Sequence, residues 1–172
     1  MKKKSRQIVR SGLEKKRRII LLIVIITSIL AIAGVIIYSM IIGYEPPKFE
    51  VNAFAGTPTP EESFLYDEVE SGFGYKFSIA SNLYQQEDRT LKVFFTNPSS
   101  NDVNLMCEVR SADDEVLYES GLIHPNEYVE SLDPKGEFEN RKIDVNVMIY
   151  AFEPETYCSA GTTTLKLVLQ PW

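Results

Sequence analysis

Ile143-Asp144-Val145-Asn146-Val147-Met148-Ile149-Tyr150 is the stretch that decides the fold. Ile143, Val145, Val147 and Ile149 alternate with Asp144, Asn146, Met148 and Tyr150. In an extended chain successive side chains point to opposite faces, so the apolar set shares one face and the second set shares the other. At the helical period the same apolar set would scatter around the whole circumference. The stretch reads as a β-strand with one packed face.

The pattern recurs on both sides. Val103, Leu105, Cys107 and Val109 alternate with Asn104, Met106, Glu108 and Arg110. Leu91, Val93 and Phe95 alternate with Lys92, Phe94 and Thr96, and Leu165, Leu167 and Leu169 with Lys166, Val168 and Gln170. Shorter candidates lie at 75–79, 116–119 and 127–131. Turn residues separate them: Asn97-Pro98-Ser99-Ser100-Asn101, Asp113-Asp114 and Asp133-Pro134-Lys135-Gly136. About seven short strands at hairpin spacing predict an all-β, antiparallel β-sandwich, placed over residues 72–172.

Upstream, residues 19–44 contain no Asp, Glu, Lys, Arg or His. A helix needs about 20 apolar residues to cross a bilayer. Residues 1–18 hold nine of the 18 basic residues and one acid, a local charge of +8, which leaves the rest of the chain at −14 within a total of −6. Basic residues beside a spanning helix stay in the cytoplasm. The reading is a basic cytoplasmic tail (1–18), a transmembrane helix (19–44), a Pro-rich stalk (45–71) and an extracytoplasmic domain (72–172). The apolar run exceeds the core of a cleaved signal peptide. An uncleaved single-pass signal anchor is therefore the expectation, with cleavage after Ala55 in Ala53-Phe54-Ala55 as the alternative. The helix carries no G-x-x-x-G pair, and Tyr38 and Tyr44 sit toward its outer end. In the stalk, Phe64-Leu65-Tyr66 is an apolar cluster suited to docking on the domain that follows.

An exterior at −14 excludes nucleic acid as a partner, because phosphate contacts need Lys and Arg. The partners expected are the lipid bilayer and another envelope or surface protein. Cys107 and Cys158 both follow the apolar run, and thiols in an oxidising space tend to pair. A Cys107–Cys158 disulfide is expected, worth about 4 kcal/mol by loop-closure entropy. Two buried, unpaired thiols are the alternative.

Three blocks carry a resemblance. They are 95–103 (Phe95-Thr96-Asn97-Pro98 onward), 120–129 (Ser120-Gly121-Leu122-Ile123-His124-Pro125-Asn126-Glu127-Tyr128-Val129) and 150–161 (Tyr150-Ala151-Phe152-Glu153-Pro154 onward). Asn52-Ala53 with Gly56-Thr57-Pro58 is a weaker fourth. Together, over about 48–170, the chain resembles a group of uncharacterised membrane-anchored, extracytoplasmic proteins of Gram-positive Firmicutes. The resemblance implies an immunoglobulin-like sandwich on a single membrane anchor, and implies no activity. One departure stands in the second block, where Pro125-Asn126-Glu127-Tyr128 replaces the group's Pro-Gly-Glu-Tyr. Asn enters the left-handed region more readily than most residues, which keeps the turn available. Each block is turn residues flanked by apolar strand residues, the composition of a fold's corners.

No catalytic, cofactor or metal residues are predicted. His124, the single histidine, follows Ile123 and precedes Pro125 in a turn, with no nucleophile elbow, H-E-x-x-H helix or phosphate-binding glycine loop in the chain. Asp113-Asp114-Glu115, Glu61-Glu62 and Asp67-Glu68 lack calcium-loop spacing and read as solvated. Tyr84, Phe94, Tyr118, Tyr128, Tyr150 and Phe152 are the candidate contact surface, since aromatic side chains are enriched where proteins meet. The function expected is a non-enzymatic protein-interaction or accessory module at the cell envelope. A cell-wall carbohydrate-binding module is the alternative, and a small envelope enzyme stands third.

Overall fold

A computed structural model describes residues 21–38, 45–137 and 141–171. The chain divides into two units between Pro46 and Pro47. The basic tail and both ends of the apolar run, Tyr44 included, lie outside the described residues.

In the first unit, α1 (Leu21–Tyr38) is an 18-residue helix long and apolar enough to cross a membrane. At 1.5 Å per residue it rises about 27 Å, close to the roughly 30 Å of a bilayer's hydrocarbon. Its Ile, Leu and Val side chains are exposed all round. Its two aliphatic hydroxyls need no water: Thr27 donates to the Ile23 and Val24 carbonyls at 3.0 Å, and Ser28 to Val24 at 2.8 Å.

The second unit is β-structure. Its strands are β1 (Phe54–Ala55), β2 (Tyr66–Glu70), β3 (Lys76–Ala80), β4 (Asn82–Gln85) and β5 (Leu91–Asn97). They continue with β6 (Asn104–Ser111), β7 (Val116–Glu119), β8 (Glu127–Leu132), β9 (Ile143–Phe152) and β10 (Ser159–Gln170). All belong to one sheet, ordered β1-β8-β5-β4-β10-β9-β6-β7, with β3 beside β5 and β2 beside β3. The pairings are antiparallel except β4 with β10, which is parallel. The sheet curls into a half-barrel around a core built from Phe77, Leu83, Phe95, Leu105, Val147 and Ile149, all fully buried. Each such side chain contributes about 1.5–3 kcal/mol. Tyr75 ties the two sides of the curl, its hydroxyl donating to the Ile149 carbonyl at 3.3 Å. The expected separation into two sheets is bridged by β4, which pairs with β5 on one side and β10 on the other.

The period-two reading holds in β9, where Val145, Val147, Ile149 and Ala151 are buried and Asn146, Met148, Tyr150 and Phe152 lie on the outer face. β10 departs from expectation. It begins at Ser159, before the apolar alternation that starts at Leu165. Gly161-Thr162-Thr163-Thr164 has no apolar inward set, so its extension comes from pairing with β9 rather than from its own burial.

The stalk boundary also moves, because the compact unit starts at Pro47, not at 72. Residues 48–50 lie along Leu122. Leu122 N–H donates to the Lys48 carbonyl and Glu50 N–H to the Leu122 carbonyl, both at 2.8 Å. The Glu50 carboxylate accepts from Gly121 N–H at 2.7 Å and Asn52 N–H at 3.0 Å. Gly121 is required there, since a Cβ would stand 2.5 Å from Glu50 N. Phe64-Leu65-Tyr66 does dock: Asn82 donates to the Ser63 carbonyl at 2.8 Å and Ser81 N–H to Leu65 at 3.1 Å.

The expected disulfide is absent and both cysteines are free, Cys107 buried and Cys158 exposed. The ladder explains this. Cys107 lies opposite Ile149, whereas Cys158 adjoins Ser159, which lies opposite Phe152. Three residues along a strand are about 10 Å, beyond the roughly 7 Å limit on Cα separation in a disulfide.

The motif blocks meet as corners of the fold. The buried Asn97 amide donates to the Val103 and Ile123 carbonyls at 2.9 and 3.0 Å and accepts from Asn101 at 2.7 Å. Asn126 takes the left-handed conformation at φ 68°, its N–H donating to the Asn97 carbonyl and its own carbonyl accepting from Gly56 N–H.

Candidate functional site

The six aromatic residues do not form one surface. Tyr118 is removed from it altogether: it is fully buried, and its hydroxyl donates to the Arg89 carbonyl at 3.1 Å. A register shift between Val109 and Arg110 sets Tyr118 opposite the inward Val109. Burial pushes its phenol pKa up to about 12.

Tyr84 and Phe94 share one cluster, with Phe64 between them at ring distances of 5.8 and 5.0 Å. Phe94 sits at a bulge in β5 with φ 47°, a strained conformation for a bulky side chain. Lys92 lies 5.6 Å from the Phe94 ring and 3.4 Å from Glu130. Phe64 covers this cluster from the docked stalk, so much of its aromatic area is used internally. Tyr128 pairs with Phe54 across β8 and β1 at 5.6 Å.

Tyr150 and Phe152 occupy the outer face of β9. Tyr150 is opposite Met106 on β6 and Thr162 on β10. Its hydroxyl donates to Glu108 at 3.0 Å and lies 3.4 Å from the Met148 sulfur. Arg110 donates to the same Glu108 oxygen at 2.7 Å and pairs with Asp114 at 3.1 Å. Burial, then the Glu108 carboxylate, holds the Tyr150 phenol above its ordinary range. The Glu108 bond raises the Arg110 guanidinium further, so it stays charged. The result is a half-buried Met148–Tyr150–Phe152 strip whose neighbouring Glu108 and Arg110 cancel each other's charge.

His124 is exposed and stacked on Phe49 at 4.2 Å, with Tyr157 edge-on to Phe49 at 6.4 Å. His124 Nδ1 lies 3.2 Å from Asn104 Oδ1. The ring thus fastens the entry segment to the second motif block. Among the described residues no three His, Cys, Asp or Glu side chains converge on a metal position. Asp114 of the acidic turn is engaged with Arg110, and Glu68 of β2 with Lys76 at 2.9 Å. A cavity of about 520 Å³ opens between the entry segment and the ends of β7 and β8, walled by Lys48, Glu50, Met106 and Leu132. The Lys135–Glu119 ion pair, 3.0 Å, closes part of its rim.

Sequence reading passed over the packing of Phe49 and Phe54, each of which lies against an aromatic residue of the β unit. Their signal is an isolated aromatic in a proline-rich stretch, where a solvated linker has no use for one. Comparison with protein-family models, curated proteins and solved structures returns no match.

Proposed function

We propose that this chain is a single-pass membrane protein whose acidic β unit stands outside the cytoplasm as a protein-contact module of the cell envelope. The +8 tail supports an N-terminus in the cytoplasm. The β unit is read as an immunoglobulin-like sandwich, with β6, β9 and β10 in one layer, β3, β5 and β8 in the other, and β4 crossing between them.

The observation that carries the contact reading is the Met148–Tyr150–Phe152 strip on β9. Tyr and Met supply adaptable apolar area, and the adjacent Glu108–Arg110 pair is internally neutral. On a polypeptide at −14 beyond the apolar run, such a face lets another protein approach with little repulsion. A tyrosine ring beside a carboxylate and a guanidinium also suits a sugar, which makes cell-wall glycan the second reading.

The test is affinity capture with the full chain solubilised from membranes. Recovery of one envelope protein in stoichiometric amount, lost with Tyr150→Ala and Phe152→Ala together, supports the proposal. Retention on peptidoglycan, lost with the same pair, replaces it with the glycan reading. Capture of neither, or capture unaffected by the substitutions, sinks both. Protease added to intact cells should remove the β unit and spare an N-terminal tag; loss of that tag reverses the topology.

A further inference from the structure

The entry segment carries apolar side chains that the β unit does not bury. Among the described residues of that unit, the exposed large hydrophobics are Phe49, Val51, Phe54, Leu65 and Phe73. Three of these five fall within residues 49–54, where the chain joins the fold. Val51 is 91% exposed, in a turn with Asn52, and Phe54 is 53% exposed. Such a turn ordinarily takes Gly, Asn, Asp or Ser, so a branched apolar residue at its tip has no local reason to be there. Phe49 and Phe54 rest on His124 and Tyr128 at 4.2 and 5.6 Å, so each presents its ring from a fixed base. Phe73, by contrast, is used within the unit: its ring lies over Gly161 and stacks on Tyr75 at 6.4 Å.

The acids of this region are mostly engaged. The Glu50 carboxylate accepts from Gly121 N–H and Asn52 N–H at 2.7 and 3.0 Å. Glu127, opposite Ala55, accepts from His124 N–H at 2.8 Å. Glu119 is paired with Lys135, and both line the same cavity as Val51, together with Asp133. Lys48 is exposed, three residues before Val51. Exposed apolar and aromatic side chains beside a lysine are the composition of a surface that meets a lipid interface.

Chain length names the occupant. The apolar run ends at Tyr44, and Lys48, whose carbonyl accepts from Leu122 N–H, already belongs to the β unit. Four extended residues reach about 14 Å. The interfacial layer flanking the hydrocarbon is itself about 5–7 Å deep. A spanning apolar run therefore holds the entry segment within a short tether of lipid headgroups. We propose that the turn at Val51–Phe54 seats in the interface of the leaflet that the chain has just left. Val51 and Phe54 enter the upper acyl region, and Lys48 stays at the level of the phosphates. The contact is apolar. A polypeptide at −14 gains nothing from anionic lipid, so zwitterionic lipid suffices.

The proposal rests on the single-pass reading and adds that the β unit touches the bilayer with its own side chains. Its test uses the full chain in nanodiscs of zwitterionic lipid. Cys158→Ser leaves Cys107, which is buried, so one added cysteine carries an environment-sensitive fluorophore. Lipids with a nitroxide on the headgroup, or high on the acyl chain, are the quenchers. Interfacial segments sit about 5–10 Å into the headgroup and acyl boundary, so acyl-chain quenching at Val51→Cys should be at least about threefold stronger than at Thr164→Cys, an exposed control on β10. With the probe at Asn52→Cys, adding Val51→Asp should cut that quenching by about threefold. Quenching at Val51 by the headgroup label alone means tethering without insertion and overturns the proposal. Blue-shifted emission there without lipid quenching means that protein covers the turn, and overturns it as well. Ile29→Cys in α1 separates the two readings. Quenching at Ile29 but not at Val51 keeps the span and removes this contact, whereas no quenching at Ile29 removes the span too.

Discussion

Gly121→Ala tests whether the entry segment is part of the fold. Replacing glycine in an unstrained, open position stabilises a protein by about 0.4–1 kcal/mol, because the unfolded chain loses freedom. Here the sign should reverse. The new Cβ would stand 2.5 Å from Glu50 N, 2.7 Å from Glu50 Cα and 2.8 Å from the Phe49 carbonyl carbon. All three are backbone atoms, so no side-chain rotation relieves the contact. Relief requires residues 48–50 to leave Leu122, with loss of two 2.8 Å backbone hydrogen bonds and the 2.7 Å bond from Gly121 N–H to the Glu50 carboxylate. At about 1 kcal/mol for each backbone bond and about 2 for the charged one, these bonds account for about 4 kcal/mol, before any loss of the Phe49–His124 stack. For a unit of this size that lowers Tm by roughly 12 °C. Thermal unfolding followed by circular dichroism gives the stability, and limited proteolysis reads the release directly as new cleavage near Lys48. A variant with unchanged Tm and unchanged resistance at Lys48 refutes the claim that this segment clips onto the β unit.

Three further outcomes follow from particular residues. Asn126 sits at φ 68°, so Asn126→Gly should be neutral or slightly stabilising in urea unfolding, whereas Asn126→Ala should cost about 1 kcal/mol; equal effects would deny that the left-handed turn matters. Burial raises the phenol pKa of Tyr75, Tyr118 and Tyr150, Tyr118 to about 12 from 10.0, so folding favours the protonated form. Their contribution is whole below pH 10 and lost as pH climbs toward 12, and urea midpoints should fall across that window, less steeply in Tyr118→Phe; a flat profile contradicts the burial argument. A maleimide should modify Cys158 in the native protein and Cys107 only after denaturation, since Cys107 is enclosed and burial drives its thiol well above the usual range. Two protected thiols that appear on reduction would restore the disulfide.

The strands that carry their own burial were legible. β5, β6 and β9 carry apolar residues at every second position, and these inward sets are the core. The strands that borrow their extension were not. β2 reads Tyr-Asp-Glu-Val-Glu and places one apolar residue, Val69, toward the core; it is a strand because β3 pairs with it. The first half of β10 is Ser, Ala, Gly and Thr, held by β9. β4 has only four residues, and its role is to join the two sides of the curl. Such pairing comes from residues distant in sequence, which no local period records.

The aromatic residues expose the same limit at the level of a site. Period two assigns a side chain to a face only while the register is unbroken. Two bulges bear on these aromatics directly, and a third, between Ser159 and Gly161 on β10, lies opposite Phe152 and Ala151 without breaking β9 itself. Of the first two, one falls between Val109 and Arg110 in the β6–β7 ladder and turns Tyr118 into the core; the other falls between Lys92 and Phe95 and sets Phe94 in a strained conformation under Phe64. Tyr150 and Phe152 lie on β9, whose pairing with β6 runs without a shift from Asn104 to Ser111, and there the local pattern gives the outer face correctly. A shift of one residue exchanges the faces of every side chain beyond it. The contact surface is therefore sorted by where the ladder is continuous, and aromatic content alone does not locate it. That argument favours β9 over β5, and it makes the Tyr150 and Phe152 substitutions a sharper probe of partner binding than any change at Tyr84 or Phe94.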